Sequence, residues 1–279
     1  MTNTSTLPPA LVEKILERLG LHAAPGIDLP GLETLYAAWC REVPFDNIRK
    51  LIHLRGGAAD NLPGSRAQDF FEAWLAHGTG GTCWPGNGAL YALLAALGFA
   101  ARRGVGTMPV TLDIPPNHGI ALVDLDGVTH AVDASIAYVA PLPLVDGETA
   151  SVDHPAWGAR SFQSDGTWHI GFRPLHIPQG LECRIDSLCV SGDDFHQWHQ
   201  HTRRWSPFNY ELYIRTLRGD SVVGIAFGQW IEFDGDGGVN QRPLSEDERK
   251  RVLIDELGIN EAIVQALPTD IPTPPRPTA

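Results

Sequence analysis

Apolar positions recur at helical spacing in the first hundred residues and at a period of two after that. Leu11, Ile15 and Leu19 repeat at i, i+4 and i+8 within residues 8–19, with prolines at the start and Gly20 at the end, which predicts a helix. Residues 31–41 place Leu32, Leu35, Ala38 and Trp39 on one stripe, a second helix. Residues 55–66 (RGGAADNLPGSR) read as a loop, and 67–76 (AQDFFEAWLA) as a third helix. The run ALYALLAALGF is apolar almost all round, so it predicts a buried helix stopped by Gly98.

Beyond residue 100 the pattern is that of strands. Residues 119–125 and 128–134 flank Asp126-Gly127, a strong signal for a two-residue hairpin loop. Residues 136–190 mix short strands with Pro- and Gly-rich turns, and 208–233 predict two or three more strands. Ser245 and Glu248 form a capping box ahead of a last helix that ends near Gly258. The Pro/Thr-rich stretch from Pro268 predicts a disordered tail. There is no internal repeat. Helices, then strands, then a small mixed end argue an α+β class.

The chain has 279 residues, enough for two domains with room for a third small module. Hydrophobic residues at 43% and charged residues at 19% exclude global disorder. The 29 glycines and 22 prolines exceed the usual share and fit a turn-rich, β-rich portion. A net charge of −12 argues against nucleic acid and against an anionic membrane surface as partners. No apolar run is long enough to span a bilayer, and the first residues lack the pattern of a signal peptide, so a cytoplasmic location is expected. In that reducing setting Cys40, Cys83, Cys183 and Cys189 are expected as free thiols.

Cys83 follows Gly80-Gly81 and opens the buried helix, and the glycines suit a sharp turn and close substrate approach. The positive end of a helix favours a thiolate there. Free cysteines are also among the most buried residue types, so a structural reading stands beside the catalytic one. The hairpin bears on the choice. A two-residue loop at Asp126-Gly127 sets Leu125 against Val128 and Val123 against His130. Continued outward, Ile120 faces Asp133 and His118 faces Ser135. His118 and Asp133 then share a face as diagonal neighbours within reach of a hydrogen bond, while His130 falls on the other face. A register slip of one residue would separate them, and a cross-strand His–Asp pair can equally be a surface hydrogen bond. Taken together, Cys83, His118 and Asp133 supply a thiol, a base and an orienting carboxylate, a unit that forms a thioester and passes on its acyl group. Backbone N–H groups at the helix N-terminus could receive the oxyanion.

At these residues the sequence resembles the arylamine N-acetyltransferase family. VEKILERLGL and LETLYAAWCREVPFDNI resemble the family's opening helices and its V-P-F-E-N-L segment. GGTCWPGNGALYALLAALGF resembles the nucleophile segment R-G-G-x-C-x-E-x-N and the helix ending L-G-F. NHGIALVDLDGVTHAVDAS resembles the strand pair that carries the family's histidine and aspartate, with matching spacings. SPFNYELYIRTLRG and RPLSEDERKRVLIDELGI resemble its C-terminal portion. The resemblance implies a helical domain over 1–100 carrying the nucleophile, and a β-barrel over 101–205 carrying the histidine and aspartate around a cysteine-protease-like core. It implies an α/β lid over 206–267, ahead of the tail at 268–279. It further implies ping-pong acyl transfer from a coenzyme A thioester to an aryl amine or hydrazine, with Cys83 as nucleophile, His118 as base, Asp133 as its partner, and no metal.

The sequence departs from the family at several points. Thr79 replaces the arginine before Gly-Gly, Pro85 the glutamate two after the cysteine, and Asp46 the glutamate of F-E-N. If that arginine pairs with those carboxylates, the support around Cys83 is lost or rebuilt. D-V-G-F-G becomes Asp133-Ala134-Ser135-Ile136-Ala137, so Ile136 replaces an aromatic and Ser135 adds a polar group. Phe45, Trp84, Ser135 and Ile136 are candidates for the acceptor pocket, the aromatics among them being equally well core residues. A changed acyl donor would make the chain an amide synthase using a larger thioester, on coenzyme A or an acyl carrier protein. A cysteine amidase or thioesterase with the same triad is a further alternative, and a non-catalytic binding protein a third. His196, His199 and His201 read as a solvated or structural face rather than a metal site, Gly104 and Gly106 as no nucleotide fingerprint, and residues 249–251 as balancing the last helix, with a grip on coenzyme phosphates as the alternative.

Overall fold

The computed structural model describes residues 7–109 and 114–274. Helices α1 (Pro9–Arg18) and α2 (Leu29–Glu42) come first, α2 capped by Asp28, whose side chain accepts the Gly31 N–H at 2.9 Å. A two-residue strand β1 (Phe45–Asp46) leads into α3 (Ile48–Arg55). The helical pattern of α3 is hidden in sequence because it runs barely two turns and mixes Arg49, Lys50 and His53 with its apolar residues. After the expected loop come α4 (Ala67–His77) and α5 (Cys83–Ala96), and the chain then turns through Gly98 at a positive φ of 95°.

Eight antiparallel strands follow: β2 (Ala100–Thr107), β3 (His118–Leu125), β4 (Val128–Val132), β5 (Leu142–Leu144), β6 (Ala150–Val152), β7 (Ala159–Ser164), β8 (Thr167–Phe172) and β9 (Leu181–Ser187). They form one sheet in the order β5-β4-β3-β2-β9-β8-β7-β6. The sheet curls until its ends meet, with Ser161 Oγ of β7 donating to the Pro143 carbonyl of β5 at 2.9 Å, which makes the expected near-closed barrel. The β3–β4 hairpin has the expected register, with Leu125 opposite Val128 and Val123 opposite His130. Asp126 and Gly127 both take positive φ, as a primed two-residue turn requires.

Helix α6 (Gly192–His201) leads to a second sheet made of β10 (Tyr213–Arg218), β11 (Ser221–Ala226), β12 (Gln229–Phe233) and β13 (Val239–Pro243). Its fifth strand is β1, which pairs with β10 from far upstream. Helix α7 (Glu246–Arg251) begins with the full capping box, and the short helix α8 (Glu261–Gln265) comes last. The stretch from Pro268 is tied down as far as it is described, rather than free. Asp270 pairs with Arg249 at 2.8 Å and accepts the Leu212 N–H, and the Ile271 N–H reaches the Tyr210 carbonyl. Residues 275–279 lie outside the described residues.

Two apolar cores hold this arrangement. The larger joins α1, α2, α4 and α5 to the inner face of the barrel. The smaller packs Ile48 and Leu51 of α3, with Leu253 and Val264, against Ile214, Val223 and Ile225. Each fully buried Leu or Ile contributes about 1.5–3 kcal/mol. The α3 core therefore fixes the helix that brings Lys50 toward Cys83. Among the described residues no helix is long and apolar enough to cross a membrane.

Candidate active site

Cys83 is the first residue of α5 and is buried. The loop that presents it is held by the segment before α3. Asp46 Oδ2 accepts the Gly80 N–H at 2.6 Å and Oδ1 accepts the Ile48 N–H at 3.0 Å, while the Asp46 N–H donates to the Gly81 carbonyl. The glycines serve this approach of backbones. A Cβ on Gly80 would lie 1.8 Å from the Pro44 carbonyl oxygen, and one on Gly81 would press on Pro85 and Phe70. They are thus a packing device rather than a clearing for substrate. No arginine at position 79 is needed for Asp46, because backbone donors satisfy it; Thr79 is fully buried and its Oγ1 has no partner among the described residues. Burial pushes the Asp46 carboxyl up to about 6, against the two N–H donors and the Arg49 charge, which pull it down.

His118 begins β3, and Asp133 follows β4 across the hairpin. The His118 Nε2 and Asp133 Oδ2 atoms are 2.5 Å apart, with both side chains buried. Burial alone would drive the ring toward neutrality. The Asp133 charge, the Cys183 sulfur and hydrogen bonds to Asp133 and Cys83 outweigh it and raise the His118 pKa well above the ordinary histidine range. Burial likewise works against the Asp133 carboxylate, but the His118 charge and hydrogen bond, with donors from Ile136 and Ser135, hold it down at about 2. With Nε2 engaged, Nδ1 is the ring nitrogen left for the thiol.

Three side chains that sequence reasoning passed over build this frame. Asn87 is one turn along α5 from Cys83 and fully buried. Its Nδ2 donates to the Gly119 carbonyl at 2.7 Å and to Asp133 Oδ1 at 3.3 Å, and its Oδ1 accepts the N–H groups of Ala121 and Ala134. Tyr36 of α2 donates to the Asp133 carbonyl at 2.8 Å and accepts the Asp133 N–H. Lys50 of α3 is buried and donates to Thr202 Oγ1 at 3.0 Å. The readable signal for Asn87 is a lone amide four residues after the cysteine in an apolar helix. Tyr36 and Lys50 give no comparable signal.

Cys83 and His118 open into one apolar cavity of about 160 Å³, which Phe45, Trp84, Ser135 and Ile136 also line. Trp84 packs edge-on against Phe195, and Phe45 against Phe208 and Tyr213. The Ser135 hydroxyl is turned to the carboxylate, donating to Asp133 Oδ1 at 2.7 Å. His199 faces inward to Ser65 Oγ, with burial and the Lys50 charge keeping its ring neutral, and His130 lies outside the cavity wall.

Comparison with known proteins bears on this geometry. A family model described as N-acetyltransferase matches residues 28–264. Proansamycin X synthase of Amycolatopsis mediterranei is 30% identical over 139 residues, 48% of this chain and 52% of that protein, so the match spans about half the length of that curated relative. The arylamine N-acetyltransferase from Mycobacterium abscessus superposes with a TM-score of 0.76 at 19% identity, covering 95% of this chain and 94% of that one. The Mycobacterium marinum arylamine N-acetyltransferase in complex with CoA gives 0.77 at 20% identity, covering 91% and 94%. With the family model spanning most of its length, this chain belongs to the arylamine N-acetyltransferase family and is an enzyme of that type.

Proposed function

We propose that the enzyme transfers an acyl group, acetyl in the simplest case, from a coenzyme A thioester through Cys83 to an aryl amine or hydrazine. The observation that carries this reading is the buried 2.5 Å pair of His118 and Asp133 opening with Cys83 on an apolar cavity. His118 takes the thiol proton, and Asp133 stabilises the resulting imidazolium. The sulfur attacks the acyl carbonyl, and the coenzyme leaves as a thiol carrying the proton back from His118. The amine then attacks the Cys83 thioester; His118 removes its proton and returns it to the sulfur. The N–H groups of Cys83 and Trp84, in the first turn of α5, have no partner within the helix and are the donors this mechanism uses for the oxyanion. The acyl donor in this reading is a coenzyme A thioester, which enters as a co-substrate.

The test is intact mass after incubation with acetyl-CoA and no amine. A gain of one acetyl group in the wild type, absent in Cys83→Ala, supports the reading. A gain that persists in Cys83→Ala, or free acetate as the only product when amine is present, overturns it, the second outcome favouring a hydrolase. The match to Proansamycin X synthase favours a second reading, in which the thioester carries a larger acyl chain. Fast Cys83 alkylation without acetylation, followed by a mass gain from longer acyl thioesters, would select it.

A further inference from the structure

Lys50 stands where a lysine is hardest to keep. It is only 6% exposed, and among the described residues it forms no ion pair. Its ammonium donates to Thr202 Oγ1 at 3.0 Å, and that hydroxyl itself donates to the His199 carbonyl, so it brings no charge to the ammonium. Lys50 and Thr82 both line the cavity that holds Cys83, and both line a second, smaller void together with Gly81, Pro85 and His199. The partition between the two spaces thus contains Lys50 beside the N-cap of α5, one residue before Cys83. That is the positive end of a helix, where a cation is repelled. Burial, the missing counter-ion and the helix end all count against a charged lysine at this place.

The neighbouring charges do not relieve it. Asp46, on the wall of the smaller void, gives its two oxygens to the N–H groups of Gly80 and Ile48. Arg49 lines that void too and is paired with Asp69 at 2.6 Å. His199, kept neutral by burial, and the Arg203 charge act on Lys50 from α6 and the turn after it. On the wall of the larger cavity stand His118, His176 and Arg215, and among the described residues no aspartate or glutamate. Two groups on that wall can carry negative charge, Tyr213 and Cys83. Burial pushes the Tyr213 hydroxyl up to about 12, which leaves the sulfur. Burial also brings Lys50 down to about 7, with the Cys83 sulfur opposing that fall and Arg203 adding to it.

We infer that Lys50 is the electrostatic partner of the Cys83 sulfur, stabilising its negative charge before it attacks the acyl carbonyl and again as the acyl group departs. Three positive features then converge on one atom: the His118 imidazolium that has taken the thiol proton, the N-terminus of α5 and the Lys50 ammonium. The thiol proton still moves to His118 and back, and Lys50 neither gives nor takes one. The ionised sulfur is the counter-ion that the resting cation lacks, so the two costs offset each other. Because Lys50 acts through the sulfur, it is a positioning residue. This inference rests on the reading of Cys83 as the nucleophile of acyl transfer.

The experiment follows alkylation of Cys83 by iodoacetamide between about pH 5 and pH 9 in wild type, Lys50→Met and Lys50→Arg. Intact mass is the readout, and Cys83→Ala gives the labelling of the exposed Cys189 to be subtracted. At about pH 6 wild type is expected to react at least about tenfold faster than Lys50→Met, whose profile has its midpoint about one pH unit higher. The two rates meet in alkali, where the thiol ionises without help, and Lys50→Arg recovers most of the lost rate. Superimposable profiles overturn the inference. So does a slowing by one factor at every pH, which marks lost packing around Lys50. If Lys50→Met slows the anion iodoacetate but leaves iodoacetamide unchanged, the cation receives incoming anions and the inference falls. A second measurement needs no Lys50 variant and uses the reciprocity of linked sites. The lysines of the chain are Lys14, Lys50 and Lys250, so their Cε signals are readily told apart by NMR. Lys50 should titrate at a lower pH in Cys83→Ala than in wild type, and an unmoved titration overturns the inference. Acyl-enzyme formation from acetyl-CoA is scored on the same wild-type sample. Its absence marks failure of the acyl-transfer reading itself, whereas its presence beside superimposable alkylation profiles marks failure of the inference alone.

Discussion

The Asp46 carboxylate accepts the Gly80 N–H at 2.6 Å, and through this contact, with the Asp46 N–H on the Gly81 carbonyl, the strand before α3 sets the loop that presents Cys83. Backbone N–H groups do for this carboxylate what a side-chain cation in the loop would otherwise do. Replacing it tests how far Cys83 depends on it. Asp46→Ala leaves the N–H groups of Gly80 and Ile48 buried without an acceptor, and a loss of about 2–5 kcal/mol in urea unfolding is expected.

Asp46→Asn separates charge from hydrogen bonding. Burial raises the Asp46 pKa to about 6, so the stability linked to its proton is fully present below the usual carboxylate range and is lost as pH rises through about 6. The variant escapes that loss. Its stability relative to wild type should therefore improve by on the order of 2 kcal/mol between about pH 4 and pH 8. A relative stability that does not move with pH would show that the carboxylate is already neutral or already relaxed.

Asp133→Asn removes the largest influence that raises the His118 pKa, so the ring loses its proton at neutral pH. Turnover is expected to fall on the order of 10³-fold, and Cys83 alkylation by iodoacetamide at about pH 6 at least tenfold. The stability that Asp133 contributes is present above the ordinary carboxylate range and lost as pH falls through about 2, so wild type and variant should converge in acid.

Asn87→Ala should cost about 3 kcal/mol or more, because the Gly119 carbonyl and the Ala121 and Ala134 N–H groups lose their partner inside the protein. Asn87→Asp keeps an acceptor but sets a second carboxylate beside Asp133, and a shifted pH profile of turnover is the readout that separates positioning from plain stability.

Lys50→Met should stabilise the fold by about 1–2 kcal/mol near pH 7, since it replaces a buried charge by a side chain of similar length. The folded-state pKa of Lys50 lies below its ordinary value, so wild type gains stability as pH rises from about 7 toward the lysine range. The advantage of the variant should shrink over that interval in thermal unfolding.

How much of this was legible depends on where the information sits. The hairpin could be read because Asp126-Gly127 fixes a register by local turn chemistry, and a fixed register carries His118 to Asp133 by counting alone. The buried helix followed from the apolar run that starts at Ala89, and Cys83 from its place after Gly80-Gly81 just ahead of that run. Other features lie beyond local pattern. Asn87 gains its role only from groups on two distant segments, the strand carrying Gly119 and Ala121 and the turn carrying Asp133 and Ala134. Strand β13 is exposed along its whole length, so it shows no alternation, and it exists because β12 offers it an edge. Lys50 looks like a surface lysine in sequence; only the packing of Ile48 and Leu51 on the second sheet turns it inward. The change from a free to a tethered segment after Pro268 likewise rests on a tertiary ion pair, Arg249 with Asp270.

The pairing of β1 with β10 sews residues 45–46 into a sheet whose other strands come from the last quarter of the chain. The loop that presents Cys83 hangs on those same two residues. Fragments divided after α6 would each lack part of one continuous hydrogen-bonded surface, so neither half would hold a competent thiol alone. Mixed together, they should regain alkylation of Cys83 only as the second sheet re-forms, which makes that thiol a reporter of assembly at the opposite end of the polypeptide.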